Sequence, residues 1–263
     1  MNLLEEIAAL KRTEVAERME LYPIAVLERS RLFNTQTISL TKSLIQVRSS
    51  GIIAEFKRIS PSKGIINASA KVEEVTIGYM QAGASALSVL TDYEFFGGKN
   101  EDLIRAREQN DCPILRKDFV VDPYQVIEAK SIGADAILLI AAILTPEETL
   151  NLAALAVSLG LETILEVHGL TELSHLNKHI SILGVNNRNL ADFTVSLDIS
   201  LSLSEFISDG IPAISESGIH DPADVQMLKQ AGYKGFLIGE QFMAAGDPAR
   251  ACQSFINRLK LHE

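Results

Sequence analysis

Residues 136–167 read AILLIAAILTPEETLNLAALAVSLGLETILEV. The stretch opens on an aliphatic run, Ala136–Ile140, and closes on a second β-rich run, Glu162–Val167. Between them, Thr145-Pro146-Glu147-Glu148 offers an N-cap hydroxyl, a proline at the first helical position and two acids facing the helix dipole. The helical pattern runs over Pro146–Leu159 and stops at Gly160, where a left-handed C-cap meets no Cβ penalty. The result is one strand, one helix and the next strand. A strand such as Ala136–Ile140, apolar at every position, fits a parallel sheet covered on both faces.

The same unit recurs in both directions. Further strands are expected at Ile52–Arg58, Ala86–Thr91, Pro113–Asp118, Ile182–Asn187, Pro212–Glu216 and Gly235–Gly239. Strand starts therefore recur about every 26 residues, a suitable length for one βα repeat. Val72–Ala82, Tyr124–Ile132 and Pro222–Ala231 read as helices that stop at Gly83, Gly133 and Gly232, the last one capped by Asp221. Eight consecutive units favour a closed (β/α)8 TIM barrel over a doubly wound sheet. A doubly wound sheet would carry a glycine-rich fingerprint after its first strand, and here that place holds Ser60-Pro61-Ser62-Lys63-Gly64.

The first fifty residues stand outside the repeat. An amphipathic helix begins with Leu3, Leu4, Ile7 and Leu10, continues to Met19 and ends near Pro23, and a second piece covers Thr37 to Val47. Such an extension must bury its apolar stripe against one rim of the barrel: as a plug in the bottom, or as a cover beside the active mouth. Extension and barrel together account for residues 1–263 as a single domain, with no room for a second.

Composition limits the function. With 24 basic and 34 acidic side chains the net charge is −10, which disfavours nucleic acid and anionic membrane surfaces as partners while allowing one locally basic pocket. Cys112 and Cys252 form no metal or disulfide pattern and suit a reducing compartment. The longest apolar run, Ala136 to Leu144, is far too short for a membrane span, and acids stand where a signal peptide needs base. The expected location is cytoplasmic.

Strand parity then gathers an unusual set of charges. Positions i and i+2 share a face. Glu55 and Lys57 fall with Ile53, Lys117 with Leu115, Glu166 with Ile164, Asn186 and Arg188 with Gly184, and Glu216 with Ile214. Three carboxylates and three cations thus converge on the C-terminal mouth, the catalytic end of this fold, with a formal sum of zero. Lysine among carboxylates and apolar walls suits proton transfer. Ser217-Gly218 after the seventh strand and Gly239-Glu240 after the eighth mark the usual phosphate site of such barrels, with Lys57 or Arg188 as counter-charge. Phe95-Phe96-Gly97-Gly98 offers an aromatic wall. His168 and His220 belong to no ligand pattern, so no metal is expected, and Asp92 and Asp118 read as rim residues.

The segments Ile53-Ala54-Glu55-Phe56-Lys57-Arg58 with Ser60-Pro61-Ser62, Leu115-Arg116-Lys117-Asp118-Phe119, Leu165-Glu166-Val167-His168, Gly184-Val185-Asn186-Asn187-Arg188, Ser215-Glu216-Ser217-Gly218-Ile219 and Leu237-Ile238-Gly239-Glu240 together resemble the indole-3-glycerol phosphate synthase family in its monofunctional form. The resemblance spans nearly the whole chain. It implies conversion of 1-(2-carboxyphenylamino)-1-deoxyribulose 5-phosphate to indole-3-glycerol phosphate, carbon dioxide and water in tryptophan biosynthesis, with no metal or organic cofactor. It implies that Lys117 is the general acid at the ketose carbonyl, that Glu166 is the acid/base group of the dehydration, and that Lys57, oriented by Glu55, supports both. By the same resemblance Asn186 and Glu216 position the reacting centre. Arg188, Ser217, Gly218, Gly239 and Glu240 surround the phosphate, Glu240 mainly through its backbone, and Pro61 and Phe96 flank the aromatic ring. The expected partner is this small phosphorylated substrate, and the expected assembly a monomer or at most a weak homodimer.

The chain departs from the family at Ile59 and Ser215, where alanine is common, at Asn189 in place of aspartate, and at Gln241 in place of serine. The last change questions a side-chain contact to phosphate but leaves backbone donation intact. A phosphoribosylanthranilate isomerase on the same barrel would need a cysteine and an aspartate where Glu55 or Lys57 and Glu216 stand. A non-catalytic phospholigand sensor would have no use for Lys57, Lys117 and Glu166 together.

Overall fold

A computed structural model describes residues 3–189, 193–207 and 210–261. The eight expected strands are present as β1 (Ile52–Phe56), β2 (Ala86–Leu90), β3 (Ile114–Lys117), β4 (Ala136–Ile140), β5 (Glu162–Val167), β6 (Ile182–Asn186), β7 (Ala213–Glu216) and β8 (Gly235–Ile238). All neighbours run parallel, and β1 closes the ring by pairing with both β2 and β8, Ile53 standing opposite Ala86 on one side and Leu237 on the other. The fold is a (β/α)8 barrel. β1 is two residues shorter than expected because the chain turns after Phe56 into a small antiparallel ladder, Ile59–Ser60 with Gly64–Ile65. Lys57 therefore sits on the loop just above the strand.

The helices that matter below are α1 (Leu3–Leu21), α2 (Leu40–Ile45), α3 (Val72–Gln81), α4 (Pro146–Ser158), α5 (Pro222–Gln230) and the short α6 (Glu240–Met243). The Thr145 and Asp221 caps form as full capping boxes, each with proline at the helix start. Gly83, Gly133, Gly160 and Gly232 all take the left-handed conformation, with φ from +77° to +103°, at the predicted stops. β5 and β6 are joined by the 3-10 turns of Leu170–His175 in place of an α-helix.

The extension serves both rims. α2 is a plug: Leu40 and Leu44 pack with Ile53, Leu115, Ile182 and Ile214 inside the barrel, at the ends where the strands begin. Ser39 caps α2, and Glu162 at the start of β5 accepts from Ser39 Oγ at 2.5 Å and from the N–H of Thr41 at 2.8 Å. α1 lies at the opposite end. Its Lys11 ammonium is 2.7 Å from Asp92, after β2, and 3.3 Å from Asp118, after β3. Asp92 and Asp118 are thus not rim residues in the exposed sense: α1 buries them, Lys11, itself 2% exposed, pairs with both, and the fully buried Arg116 is a second cation for Asp118 at 3.1 Å. An aspartate can face helices at a rim without meeting water once a lysine from a distant helix takes the solvent's place.

Candidate active site

A cavity of about 500 Å³ opens at the C-terminal mouth. Every residue expected there lines it: Glu55, Lys57, Lys117, Glu166, Asn186, Glu216, Arg188, Ser217, Gly218, Gly239, Glu240, Pro61 and Phe96. Parity is the cause. The interior row is apolar at the bottom, where α2 seals it, and on β1, β3, β5 and β7 it switches to charge toward the C-terminal end, at Glu55, Lys117, Glu166 and Glu216.

The centre of the site is Lys117. Its ammonium lies 2.8 Å from Glu166 Oε2 and 3.0 Å from Glu216 Oε2. Burial pulls this lysine's pKa down, but Glu166, Glu216 and Glu55 more than offset it, so the pKa ends above the ordinary value and Lys117 stays an ammonium. The two carboxylates beside it diverge. Burial pushes Glu166 up, but Lys117 and His168 outweigh that, and Asn186 Nδ2 donates to its Oε1 at 3.2 Å, so Glu166 is held as carboxylate. In Glu216 burial prevails: Lys117 pulls against it, Glu166 and Glu55 add their repulsion, and the pKa ends at about 7. Glu216 Oε1 is buried with no hydrogen-bond partner among the described residues. One site thus offers a permanent acid, an ionised base and a carboxyl that titrates near neutrality.

Two glycines make room for these acids. A Cβ on Gly184 would stand 2.8 Å from Glu216 Oε1, and one on Gly239 would stand 2.4 Å from Glu55 Oε1. Glu55 in turn holds Lys57 at 2.7 Å.

The cavity has two unlike ends. Phe96 and Phe119, with ring centroids 6.1 Å apart, form an apolar wall with Leu138, Ile140 and Ile7 of α1. At the other end, Ser217 and Gly218 follow β7 in successive left-handed conformations, and the first N–H groups of α6, at Glu240 and Gln241, have no intrahelical acceptor. Glu240 does more than lend its backbone: its carboxylate is 3.5 Å from Arg188 and 3.8 Å from Lys63. An amphiphile with a flat ring at one end and an anion at the other matches this shape and charge.

Sequence reasoning missed Ile7, Lys63, Phe119 and Val195 as lining residues. Phe119 was within reach, since it follows Lys117 and Asp118 at the end of β3. Ile7 was not, because an amphipathic stripe does not say what it packs against. His220 lines the cavity, whereas His168 does not; no cluster of metal ligands occurs among the described residues.

A family profile described as indole-3-glycerol phosphate synthase matches residues 4–255. An indole-3-glycerol phosphate synthase of Bacteroides thetaiotaomicron is 45% identical over 259 residues, 98% of this chain and 99% of that one. One from Bordetella pertussis is 39% identical over 251 residues, 94% and 96% of the two chains. Among solved structures, tryptophan synthase subunit alpha from Legionella pneumophila superposes with a TM-score of 0.60 at 14% identity, covering 84% of this chain and 97% of its own. Thiamine phosphate pyrophosphorylase from Pyrococcus furiosus gives 0.59 at 17%, covering 82% and 98%. The structural likenesses speak to the barrel alone.

Proposed function

We propose, for a chain that belongs to the indole-3-glycerol phosphate synthase family, the reaction of that family: ring closure, decarboxylation and dehydration of 1-(2-carboxyphenylamino)-1-deoxyribulose 5-phosphate in tryptophan biosynthesis. The observation that carries this reading is the placing of the Lys117 ammonium between Glu166 and Glu216, in one cavity with an aromatic wall and a cationic, N–H-rich end.

In this reading the carboxyphenyl ring lies against Phe96 and Phe119, flanked by Pro61, and the phosphate meets Arg188, Ser217, Gly218 and the start of α6. The ketose oxygen then points at Lys117, which makes the carbonyl electrophilic and protonates the oxygen as the ring carbon attacks. Departure of carbon dioxide restores aromaticity. Glu166, already ionised, handles the proton exchange of the dehydration, with Asn186 fixing its orientation. Lys57 is oriented by Glu55 and supports the proton chemistry from the other side. Glu216, with one free oxygen, positions the reacting centre. A correctly placed acid or base contributes ~10²–10⁴-fold.

The burial of α1 and α2 against opposite ends of the barrel supports reading extension and barrel as one domain. No helix among the described residues is long and apolar enough to cross a membrane. Cys112 and Cys252 are both free and buried, which suits a cytoplasmic enzyme.

The test is direct. Purified protein mixed with the substrate should generate indole fluorescence, and absence of turnover by folded protein would sink the reading. Lys117→Met should abolish turnover while product still binds; near-normal turnover by that variant would remove Lys117 as the acid.

A further inference from the structure

The proposed reaction does not balance its protons within the substrate. Ring closure makes the ketose oxygen an alkoxide, which takes one proton. Carbon dioxide then leaves from the carboxylate, and its bonding electrons return to the ring, so no proton is released. Dehydration adds a second proton to the same oxygen, which departs as water, and removes one from the neighbouring carbon. Two protons enter and one leaves, so each turnover draws one proton from solvent. Lys117 must therefore be recharged, although it sits between Glu166 and Glu216 at the floor of a cavity that substrate fills.

The structure holds a chain of groups behind Glu166 that reaches water without crossing the cavity. His168, the residue after β5, does not line the pocket. Its Nε2 is 3.5 Å from Glu166 Oε1, and its Nδ1 is 3.5 Å from Glu172 Oε2. The backbone N–H of His168 donates to the same Glu172 oxygen at 2.6 Å, which holds Glu172 in place. Both ring nitrogens are buried and neither makes a hydrogen bond to the described residues at these distances, while the Glu172 side chain is 24% exposed. The two oxygens of Glu166 divide the work: Oε1 faces His168, and Oε2 accepts from Lys117 at 2.8 Å.

We propose that Glu172 and His168 form a proton inlet through which solvent recharges Lys117: Glu166 takes the proton on the oxygen facing His168, and rotation of its carboxyl group then presents that proton to Lys117. The inference rests on the lyase reading above, because it is that stoichiometry which demands net proton uptake. The charged groups facing His168 are Glu172 on the following turn, Glu166 on its own strand and Glu216 on β7, with Lys117 beyond Glu166. Burial lowers the pKa of His168, but those three carboxylates more than offset it, so the ring's proton affinity is raised and the imidazolium is a ready donor. Contacts of 3.5 Å lie at the outer edge of hydrogen bonding, and a small turn of the ring tightens either one. His168 acts through Glu166 and is a positioning residue in that sense.

The test uses His168→Gln, which keeps a polar side chain but cannot titrate. Steady-state kcat in non-imidazole buffer at pH 8 should fall at least about tenfold with KM within about twofold, because only the recharging step is slowed. Added imidazole should restore kcat in proportion to its concentration, and release of carbon dioxide in the first turnover, which needs only the proton already on Lys117, should keep nearly the wild-type rate. Glu172→Gln should act in the same direction with a smaller fall. Unchanged kcat would overturn the proposal, as would a fall without imidazole rescue or a matching loss in the first release of carbon dioxide, either of which would mean a packing role. A wild-type protein with no turnover would refute the lyase reading, and a titration of the His168 ring by NMR still judges the chain itself. Its midpoint should fall in both Glu172→Gln and Glu166→Gln, and a midpoint that moves in neither overturns the inlet.

Discussion

Glu216 offers a stability measurement that reports directly on the electrostatics of the site. Unfolded, this carboxyl releases its proton near 4.5; folded, it holds it until about 7. Between those values the folded state binds more protons than the unfolded chain, so stability falls as pH rises through the window, and the full deficit is present above 7. At 1.36 kcal/mol for each pH unit of displacement, the deficit is about 3 kcal/mol. Glutamine in its place mimics the protonated acid at every pH. Glu216→Gln should therefore match the wild type near pH 4.5, begin to gain above it, and be about 3 kcal/mol more stable at pH 8. At ~2–4 °C per kcal/mol for a chain of this size, that is about 6–12 °C in melting temperature. Urea or thermal unfolding of both proteins at pH 5, 6, 7 and 8 supplies the comparison. Turnover should fall in the same variant, a trade of stability against function expected where a site is built from strained charge. A stability difference that stays constant from pH 5 to pH 8, or a variant less stable at pH 8, would refute the claim that Glu216 is held near neutrality by burial and by Glu166 and Glu55.

Three other perturbations follow from the same geometry. Lys11→Met leaves Asp92 buried without its cation, while Asp118 keeps Arg116 at 3.1 Å, so it should cost about 3–5 kcal/mol near neutral pH; urea unfolding reads that loss, and faster proteolytic nicking of α1 with a raised KM shows the helix loosening over the cavity. Gly239→Ala would place a Cβ 2.4 Å from Glu55 Oε1, and with φ at −127° the backbone itself tolerates alanine. Displacing Glu55 and Lys57 by about 1 Å should lower kcat up to ~10²-fold while the melting temperature moves little. Arg188→Ala removes the cation that Glu240 holds at 3.5 Å; KM and the inhibition constant of inorganic phosphate should rise together by about tenfold, with kcat nearly unchanged, if Arg188 serves the phosphate alone.

The barrel was legible because its determinants are local. Each of the eight strands lies within two residues of its expected bounds, since a parallel strand needs a short apolar run and each helix stop marked by glycine announces the next one. The gathering of charge was legible for a related reason: parity along β1, β3, β5, β6 and β7 follows from the pleat alone. The placing of the extension was not. Lys11 and Glu14 look like a surface pair on a helix, and they do pair at 2.7 Å, yet the same ammonium reaches Asp92 and Asp118 far along the chain. Nothing in a single sequence joins those positions. The connection between β5 and β6 was equally opaque, and the 3-10 turns there bring Glu172 back over His168.

The five acids and four cations that line the mouth leave a formal sum of only −1, so a chain of net charge −10 can admit a substrate bearing both a carboxylate and a phosphate. The sum hides the more useful property, which is the order in which the charges meet. Lys117 touches two carboxylates and feels a third. With one carboxylate, lysine and acid would simply neutralise each other; with three, the lysine is locked as an ammonium and the acids must compete for it. Glu166 wins that competition through Asn186 and His168 and stays ionised. Glu216 faces the repulsion without a partner for its second oxygen and drifts to about 7. The same crowding that destabilises the folded chain therefore sorts chemically identical side chains into a base and a titrating acid within reach of one lysine, and Glu172 with His168 extends the alternation of negative and positive groups outward to the solvent that must supply the proton.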